Sequence, residues 1–254
     1  MNAKYSIQTN VRKNYIFIFI LLMIPLFTFC SQKESPTLRL TYIGHSCYLI
    51  ESSTGTRILF DPYNLGLGYE VPGIPADIIT ISHEDFDHSN AGMATGNPVV
   101  FRDAGEYKEG LVVVKGTLAR HGRQRKKDAP NVFFTVSVDG INFCHLGDLG
   151  DQLTEEQLNS IGPIDILFIP AVSPLKPEIA DIILDQVKPV MAFPIHFRTD
   201  AMLPHYGSPT LEEFLKGKDN VTIWDSSEIE LSRNMLPKEM QIVVMKYDAE
   251  KSPQ

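Results

Sequence analysis

The chain has 254 residues, a length that fits one catalytic domain or two smaller domains. Hydrophobic residues make up 43% and charged residues 21%, which is ordinary for a globular protein with a sizeable core. The net charge of −8 argues against nucleic acid as a partner, because a phosphate backbone is bound by clustered Lys and Arg. We expect a small-molecule partner, and the oligomeric state stays open.

The first 30 residues have the pattern of an export signal. Lys4, Arg12 and Lys13 precede an apolar stretch from Tyr15 to Phe29. A membrane-spanning helix needs about 20 apolar residues, so this shorter stretch favours a signal peptide over an uncleaved anchor. We therefore expect residues 1–30 to be a signal peptide and the protein to be exported to a bacterial cell envelope.

Cys30 lies where the apolar stretch meets a polar tether, residues 31–37. This position resembles the lipidation site of a bacterial lipoprotein. The resemblance implies that the mature protein contacts the membrane through a lipid on Cys30. The alternative is that Cys30 is simply the last apolar residue of the leader.

Residues 38–254 are expected to form one domain that begins with strands. Three short segments rich in β-branched and aromatic residues are separated by turn signals, at residues 38–43, 47–50 and 57–60. Cys47 in the second segment, and Cys144 further along, are expected to be small buried side chains. This first part of the chain predicts a meander that feeds a sheet.

Polar ligand residues follow the next apolar run, residues 78–81. The segment from Ser82 to His88 holds two imidazoles, His83 and His88, and two carboxylates, Asp85 and Asp87. Nitrogen and oxygen donors at this close spacing are what a divalent cation needs. A solvated turn after a strand is the alternative explanation. One short loop cannot surround a cation, so ligands from other loops are required.

Strands alternate with helices in the second half of the chain. A strand at residues 131–138 is expected to pair with residues 141–144 through the hairpin turn Asp139-Gly140. Thr154 and Gln157 form a capping box that starts a helix, and Pro177 starts a second one. A third helix is expected from Ser208 to Leu215. Further strands are expected at residues 164–169, 221–224, 229–231 and 240–245.

Three further candidate ligands each follow a strand-like segment: His121, Asp148 and His196. Together with Gly44-His45-Ser46 and Phe60-Asp61-Pro62, this serial order resembles the metallo-β-lactamase superfamily, in its lactonase-like and phosphodiesterase-like branch. The superfamily signature is H-x-H-x-D-H followed by an isolated His, an Asp and a final His. The resemblance implies an α+β fold, a four-layer αββα sandwich, with the active site at one edge.

The resemblance also implies a ligand set. A first metal would be held by His83, Asp85 and His121, and a second by Asp87, His88 and His196, with Asp148 bridging both. The implied activity is hydrolysis of an ester, lactone or phosphodiester bond by a metal-bound hydroxide, with Asp87 and Asp148 as catalytic residues. One or two divalent cations are expected: Zn first, with Mn or Fe as alternatives. His45 and His145 are expected to orient other side chains.

Asp85 departs from the signature, which has His at this position. A carboxylate adds negative charge and hardens the ligand set, so the preference would shift from Zn toward Mn or Fe. Two functions therefore stay open: a metal-dependent hydrolase, and a lipid-anchored metal-binding protein with little or no turnover. The basic cluster Arg120, Arg123, Arg125, Lys126 and Lys127 is expected to be a solvated loop, with attraction of an anionic substrate as the alternative.

Overall fold

The computed structural model describes residues 35–122, 130–171, 175–204 and 210–248. All of them belong to one unit, Ser35–Gln254. The predicted leader, Cys30 and most of the tether lie outside the described residues. The same holds for the start of the third helix, for His205, which has no ligand motif and is expected at the surface, and for the cluster residues Arg123, Arg125, Lys126 and Lys127. None of the helices in the described ranges is long and apolar enough to cross a membrane.

Sixteen strands are defined within the described residues. They are β1 (Leu38–Gly44), β2 (Cys47–Glu51), β3 (Arg57–Phe60), β4 (Ile74–Pro75), β5 (Ile78–Thr80), β6 (Ala94–Thr95), β7 (Val99–Phe101), β8 (Gly105–Glu109), β9 (Val112–Arg120), β10 (Pro130–Val138), β11 (Ile141–His145), β12 (Ile166–Pro170), β13 (Met191–Ile195), β14 (Val221–Trp224), β15 (Glu228–Leu231) and β16 (Gln241–Met245). The α-helices described are α1 (Glu155–Ile161), α2 (Pro177–Val187) and α3 (Glu212–Leu215).

Two large sheets form the body of the fold. The six-stranded sheet has the order β15-β1-β2-β3-β5-β7, and the eight-stranded sheet has the order β14-β16-β13-β12-β11-β10-β9-β8. Each sheet is antiparallel along part of its width. The neighbours are parallel from β3 through β5 to β7 in the six-stranded sheet, and from β11 through β12, β13 and β16 to β14 in the eight-stranded sheet. The carboxyl ends of neighbouring parallel strands therefore meet at one edge, where loops can carry a site.

The two sheets pack through alternating side chains. In β2, Tyr48 and Ile50 belong to the large core cluster, whereas Cys47 and Leu49 belong to a smaller cluster on the other face. Tyr48 lies 4.4 Å from Phe168 of the opposite sheet, measured between ring centroids. Because side chains alternate along a strand, each sheet can contribute one face to a shared core. Cys47 and Cys144 are buried free thiols, as predicted.

The predicted sandwich architecture is confirmed, and α1 and α2 begin where their capping signals placed them. The third helix was predicted from Ser208, but α3 begins only at Glu212. Thr154 caps α1 through its hydroxyl and Gln157 completes the capping box, while Pro177 occupies the first turn of α2. α1 packs against β9. Over the outer face of the six-stranded sheet, the smaller cluster is completed by loop residues such as Tyr63 and Tyr69 and by the short 3-10 helix Ala91–Met93.

Candidate metal centre

Strand ends bring the predicted ligand residues together at one edge of the sandwich. His83 and His88 follow β5, His121 follows β9, Asp148 follows β11 and His196 follows β13. The loops are tied to one another by backbone hydrogen bonds, including His196 N to His45 O (3.3 Å) and Gly122 N to Asp148 O (3.0 Å). The edge is therefore a rigid frame for side chains from distant parts of the chain.

Two of the predicted imidazole ligands face both one oxygen of Asp148 and the carboxylate of Asp85. Asp148 Oδ2 lies 3.8 Å from His83 Nε2 and 3.3 Å from His121 Nε2. Asp85 Oδ2 lies 3.7 Å from His83 Nε2 and 3.6 Å from His121 Nε2. We call this group, formed by His83, Asp85, His121 and Asp148 Oδ2, site A.

The other oxygen of Asp148 faces a second group. Asp148 Oδ1 lies 3.3 Å from His88 Nε2 and 3.5 Å from His196 Nε2. Asp87 Oδ2 lies 3.9 Å from His88 Nε2 and 3.7 Å from His196 Nε2. We call this group, formed by Asp87, His88, His196 and Asp148 Oδ1, site B.

Both sites have the spacing and the donor atoms that a cation requires. Donor atoms about 2.0–2.1 Å from a tetrahedral cation lie roughly 3.4 Å apart, close to the separations in sites A and B. His83 Nε2, His88 Nε2, His196 Nε2 and both oxygens of Asp148 are buried and make no hydrogen bond within the described part of the chain. Buried polar atoms are normally paired, so these atoms fit the donor set of a divalent cation.

The backbone of Gly147 and the side chain of Asn131 position Asp148. Gly147 has φ +56°, and an added Cβ would lie 2.4 Å from Ser82 Cβ, so no larger residue fits. The amide of Asn131 accepts from Asp148 N (2.9 Å) and donates to Leu146 O (2.9 Å). Asn131 therefore holds the turn that aims Asp148 between the two sites.

Asp61 orients one imidazole of each site. Its carboxylate accepts from Ser82 N (2.7 Å), Ser82 Oγ (2.5 Å) and His88 Nδ1 (2.8 Å). Since Ser82 Oγ donates to Asp61, it accepts from His83 Nδ1, 2.9 Å away. Both rings therefore carry their proton on Nδ1, and both Nε2 atoms are left with a lone pair directed into the centre.

His45 performs a similar role for Asp87. His45 Nε2 lies 3.2 Å from Asp87 Oδ2, and because a carboxylate only accepts, the proton is on Nε2. That nitrogen is therefore a donor and does not bind a cation. The ring also packs on His196, with centroids 4.3 Å apart. The orienting role predicted for His45 agrees with this geometry.

His145 supports the turn that carries Asp148. His145 Nε2 donates to Ser46 O (2.8 Å), and Nδ1 accepts from Gly147 N (3.2 Å). The ring thus links the first turn of the domain to the turn that carries Asp148, as its predicted orienting role requires.

Three residues without the freedom of glycine have left-handed backbones here: His45 (φ +54°), Asp61 (φ +40°) and His196 (φ +60°). Such conformations cost about 1–3 kcal/mol each and are found where the surrounding structure holds a functional side chain in place. All three residues point into or support the centre. The strain is therefore concentrated at the candidate site.

The ionisation of the cluster suits metal binding. Burial lowers the pKa of His83 to about 4, so its ring is neutral at pH 7, as a ligand must be. Burial raises the pKa values of Asp87 and Asp148, but neighbouring imidazoles outweigh this effect and hold both well below the usual carboxyl range. Burial also lowers the pKa of His88, yet Asp148, Asp61 and Asp87 raise it to about 10, so without a cation this ring carries a second proton on Nε2, which a bound metal would displace. The cluster thus stabilises positive charge.

All seven predicted ligand residues lie in this centre. Asn131 and Ser82 were not among the predicted functional residues, and Asp61 was noted only as part of a motif. Asn131 stands within a strand pattern, where nothing local marks it as a supporting residue. A buried polar residue is recognised only when its tertiary partners are known.

Comparison with known proteins agrees with this geometry. Residues 39–196, more than half of the chain, match the family model described as "Beta-lactamase superfamily domain". A UPF0173 metal-dependent hydrolase from Archaeoglobus fulgidus is 22% identical over 196 residues, covering 64% of this chain and 84% of the relative. A UPF0173 metal-dependent hydrolase from Opitutus terrae is 26% identical over 208 residues, covering 66% and 89%.

A solved structure extends the likeness to three dimensions. A metallo-β-lactamase superfamily protein from Thermotoga maritima is 30% identical to this chain, covers 83% of it and all of its own length, and superposes with a TM-score of 0.69. The chain therefore belongs to the β-lactamase superfamily domain family and is a metal-dependent hydrolase of the metallo-β-lactamase superfamily.

Proposed function

We propose that this hydrolase cleaves an ester, lactone or phosphodiester bond with two divalent cations held in sites A and B. The proposal rests chiefly on Asp148, whose two carboxylate oxygens each face a separate set of imidazole and carboxylate donors. One carboxylate that serves two sets of ligands is typical of a bridged two-metal site. The bare Nε2 atoms of His83, His88 and His196 support the same assignment.

The bound cations would lower the pKa of a shared water and stabilise the negative charge that develops on the substrate oxygen. The chain's own residues prepare the site for this chemistry. Asp87 is held ionised and hydrogen-bonded to His45, so its carboxylate can accept a hydrogen bond from the attacking water and orient it. Asp87 and Asp148, which are buried, and Asp85 would together offset part of the four positive charges of two divalent cations.

Site A is proposed to accept Mn or Fe more readily than a site with the signature histidine, with Zn still the expected metal. Asp85 Oδ2 reaches the same two imidazole nitrogens as Asp148 Oδ2, so site A contains two carboxylates and two imidazoles. Carboxylate ligands favour harder cations than imidazole does. The proposed shift in metal preference therefore rests on this one replacement.

The proposal is tested by metal analysis together with a substrate panel. The protein is reconstituted separately with Zn, Mn and Fe and assayed on lactones, carboxylic esters, phosphodiesters and β-lactams. We expect close to two metals per chain and turnover of one of the first three classes. Asp148→Asn should lose metal at both sites and all turnover, whereas Asp151→Asn, an exposed carboxylate three residues away, should change neither.

Two results would contradict the proposal. Full activity in Asp148→Asn would show that the bridging carboxylate is not needed. Two bound metals without hydrolysis of any class would instead favour the metal-binding alternative that Asp85 raised.

We also propose export and lipid anchoring at Cys30, on the sequence pattern alone. The wild-type protein should fractionate with membranes and carry a lipid mass on its first mature residue, whereas Cys30→Ser should not be lipidated. If the two proteins keep their leaders and their masses differ only by the exchange of sulfur for oxygen, the leader is retained as an anchor and lipidation is overturned.

A further inference from the structure

Leu118 is exposed on a strand face that is buried elsewhere. Along β9, Val112, Val114 and Gly116 are buried and point toward the opposite sheet. Leu118 comes two residues later on the same face, because side chains alternate along a strand, yet it is 59% exposed. Its cross-strand partner Val132 is 5% exposed. The space between the sheets therefore opens to solvent at Leu118.

The opening is a cavity of about 610 Å³ with a largely apolar wall. Pockets of 300–1,000 Å³ are the usual size for small-molecule ligands. Its apolar lining residues come from both sheets and from the connections between them: Ile81, Ala104, Leu118, Pro130 and Val132. The charged lining residues include the ion-paired Arg102 and Glu84, both partly or largely exposed to solvent.

The cavity is continuous with site A. His83, Asp85 and His121 line it together with the apolar residues. Of the ligand residues, the three of site A other than the bridging Asp148 border this cavity, and those of site B do not. A group bound at site A would therefore share this cavity with Leu118 and Val132, and Leu118 is the exposed leucine of its wall.

We propose that this cavity binds an unbranched apolar chain of the substrate beside the scissile bond, and that Leu118 sets the length of chain accepted. This inference rests on the proposed function, since it places the reacting group at site A. It narrows the substrate class to esters or lactones that carry an apolar acyl chain. An exposed leucine on a strand face that is otherwise core is then explained, because the chain buries it on binding.

The test uses a probe that binds the metal without being hydrolysed. A series of n-alkyl hydroxamic acids, from acetohydroxamic acid to a ten-carbon chain, is titrated into zinc-loaded protein by calorimetry. Each methylene buried in the cavity should tighten binding about fourfold, from the usual value of about 0.8 kcal/mol per buried methylene. The same trend is expected in kcat/KM for straight-chain esters if an ester is the substrate.

Leu118→Trp narrows the cavity, and Leu111→Trp is the matched control on a leucine that is 84% exposed and away from the cavity lining. Acetohydroxamic acid should bind all three proteins equally. The gain per methylene should disappear in Leu118→Trp and persist in Leu111→Trp. A second variant, Leu118→Ser, keeps the space and should reduce the gain, which guards against misfolding of the tryptophan variant.

Affinity independent of chain length in the wild type would overturn the inference, and so would an undiminished gain in both Leu118 variants. Failure of the proposed function has a different signature. If no ester, lactone or phosphodiester is hydrolysed but the hydroxamate series behaves as expected, the cavity assignment stands and the catalytic proposal falls.

Discussion

Asp61→Asn should weaken metal binding at both sites, although Asp61 is not itself a ligand. The amide introduced at position 61 would have to keep its oxygen toward Ser82 N, a donor 2.7 Å from Oδ1 in the wild type. Its nitrogen would then take the place of Oδ2, facing Ser82 Oγ and His88 Nδ1. An amide nitrogen only donates, so His88 Nδ1 must accept and the ring proton moves to Nε2.

The same substitution changes the tautomer of the second imidazole, His83. Ser82 Oγ would accept from the new amide and would donate to His83 Nδ1, 2.9 Å away, which places the proton of His83 on Nε2 as well. Neither Nε2 atom can then bind a cation. Loss of one such supporting contact typically costs 10–100-fold in metal affinity, about 1.4–2.8 kcal/mol. Here one contact serves site A and another serves site B, so both affinities should fall by that factor.

Competition with a chromophoric chelator measures both affinities. Asp165→Asn is the matched control: Asp165 is a buried carboxylate that accepts from Asn142 N and pairs with Arg233, outside the metal centre. That variant should lose stability but bind metal normally. Wild-type affinity at both sites in Asp61→Asn would refute the assignment of the ring protons, and loss at site B alone would refute the relay through Ser82.

Three further predictions concern the centre. Asp85→His should raise the zinc retained after dialysis, because imidazole is a softer ligand than carboxylate; unchanged retention, measured by mass spectrometry, would show that position 85 does not coordinate. His45→Gln keeps a donor for Asp87 and should bind metal at site B nearly normally, whereas His45→Leu should weaken binding about 10–100-fold, and equal calorimetric titrations of the two variants would exclude the orienting role. Chelation of metal should lower Tm by roughly 8–16 °C for each occupied site, relative to protein at a metal concentration of about 1,000 Kd, and identical melting curves would argue against occupied sites.

Local signals in the sequence located most of the elements that carry the centre. Period-two alternation placed β10 one residue from its observed start, and the capping box at Thr154 and the proline at 177 placed the starts of α1 and α2. These signals depend on neighbouring residues, so they survive without tertiary information. By contrast, β7 and β8 carry no clear alternation in the sequence, and they form because they pair with β5 and β9.

The residues that support the ligands were harder to predict from the sequence than the ligands themselves. His83 and His196 are more than 100 residues apart, yet each follows a strand, and the resemblance of this serial order to the metallo-β-lactamase superfamily grouped them. Asn131 and Ser82 have no such order. Their importance comes from hydrogen bonds to Asp148 and Asp61, which exist only once the sheets have packed.

The sequence by itself determined the chemistry of the centre, because the types of ligand and their order along strand ends are local properties of the chain. Only the tertiary structure decided how the ligands are divided between sites A and B. It directs the two oxygens of Asp148 to different groups of ligands and fixes the protons of His83 and His88 through Asp61. It also leaves Leu118 uncovered beside site A. These properties depend on distances between residues far apart in the chain, which are set by packing the two sheets against each other.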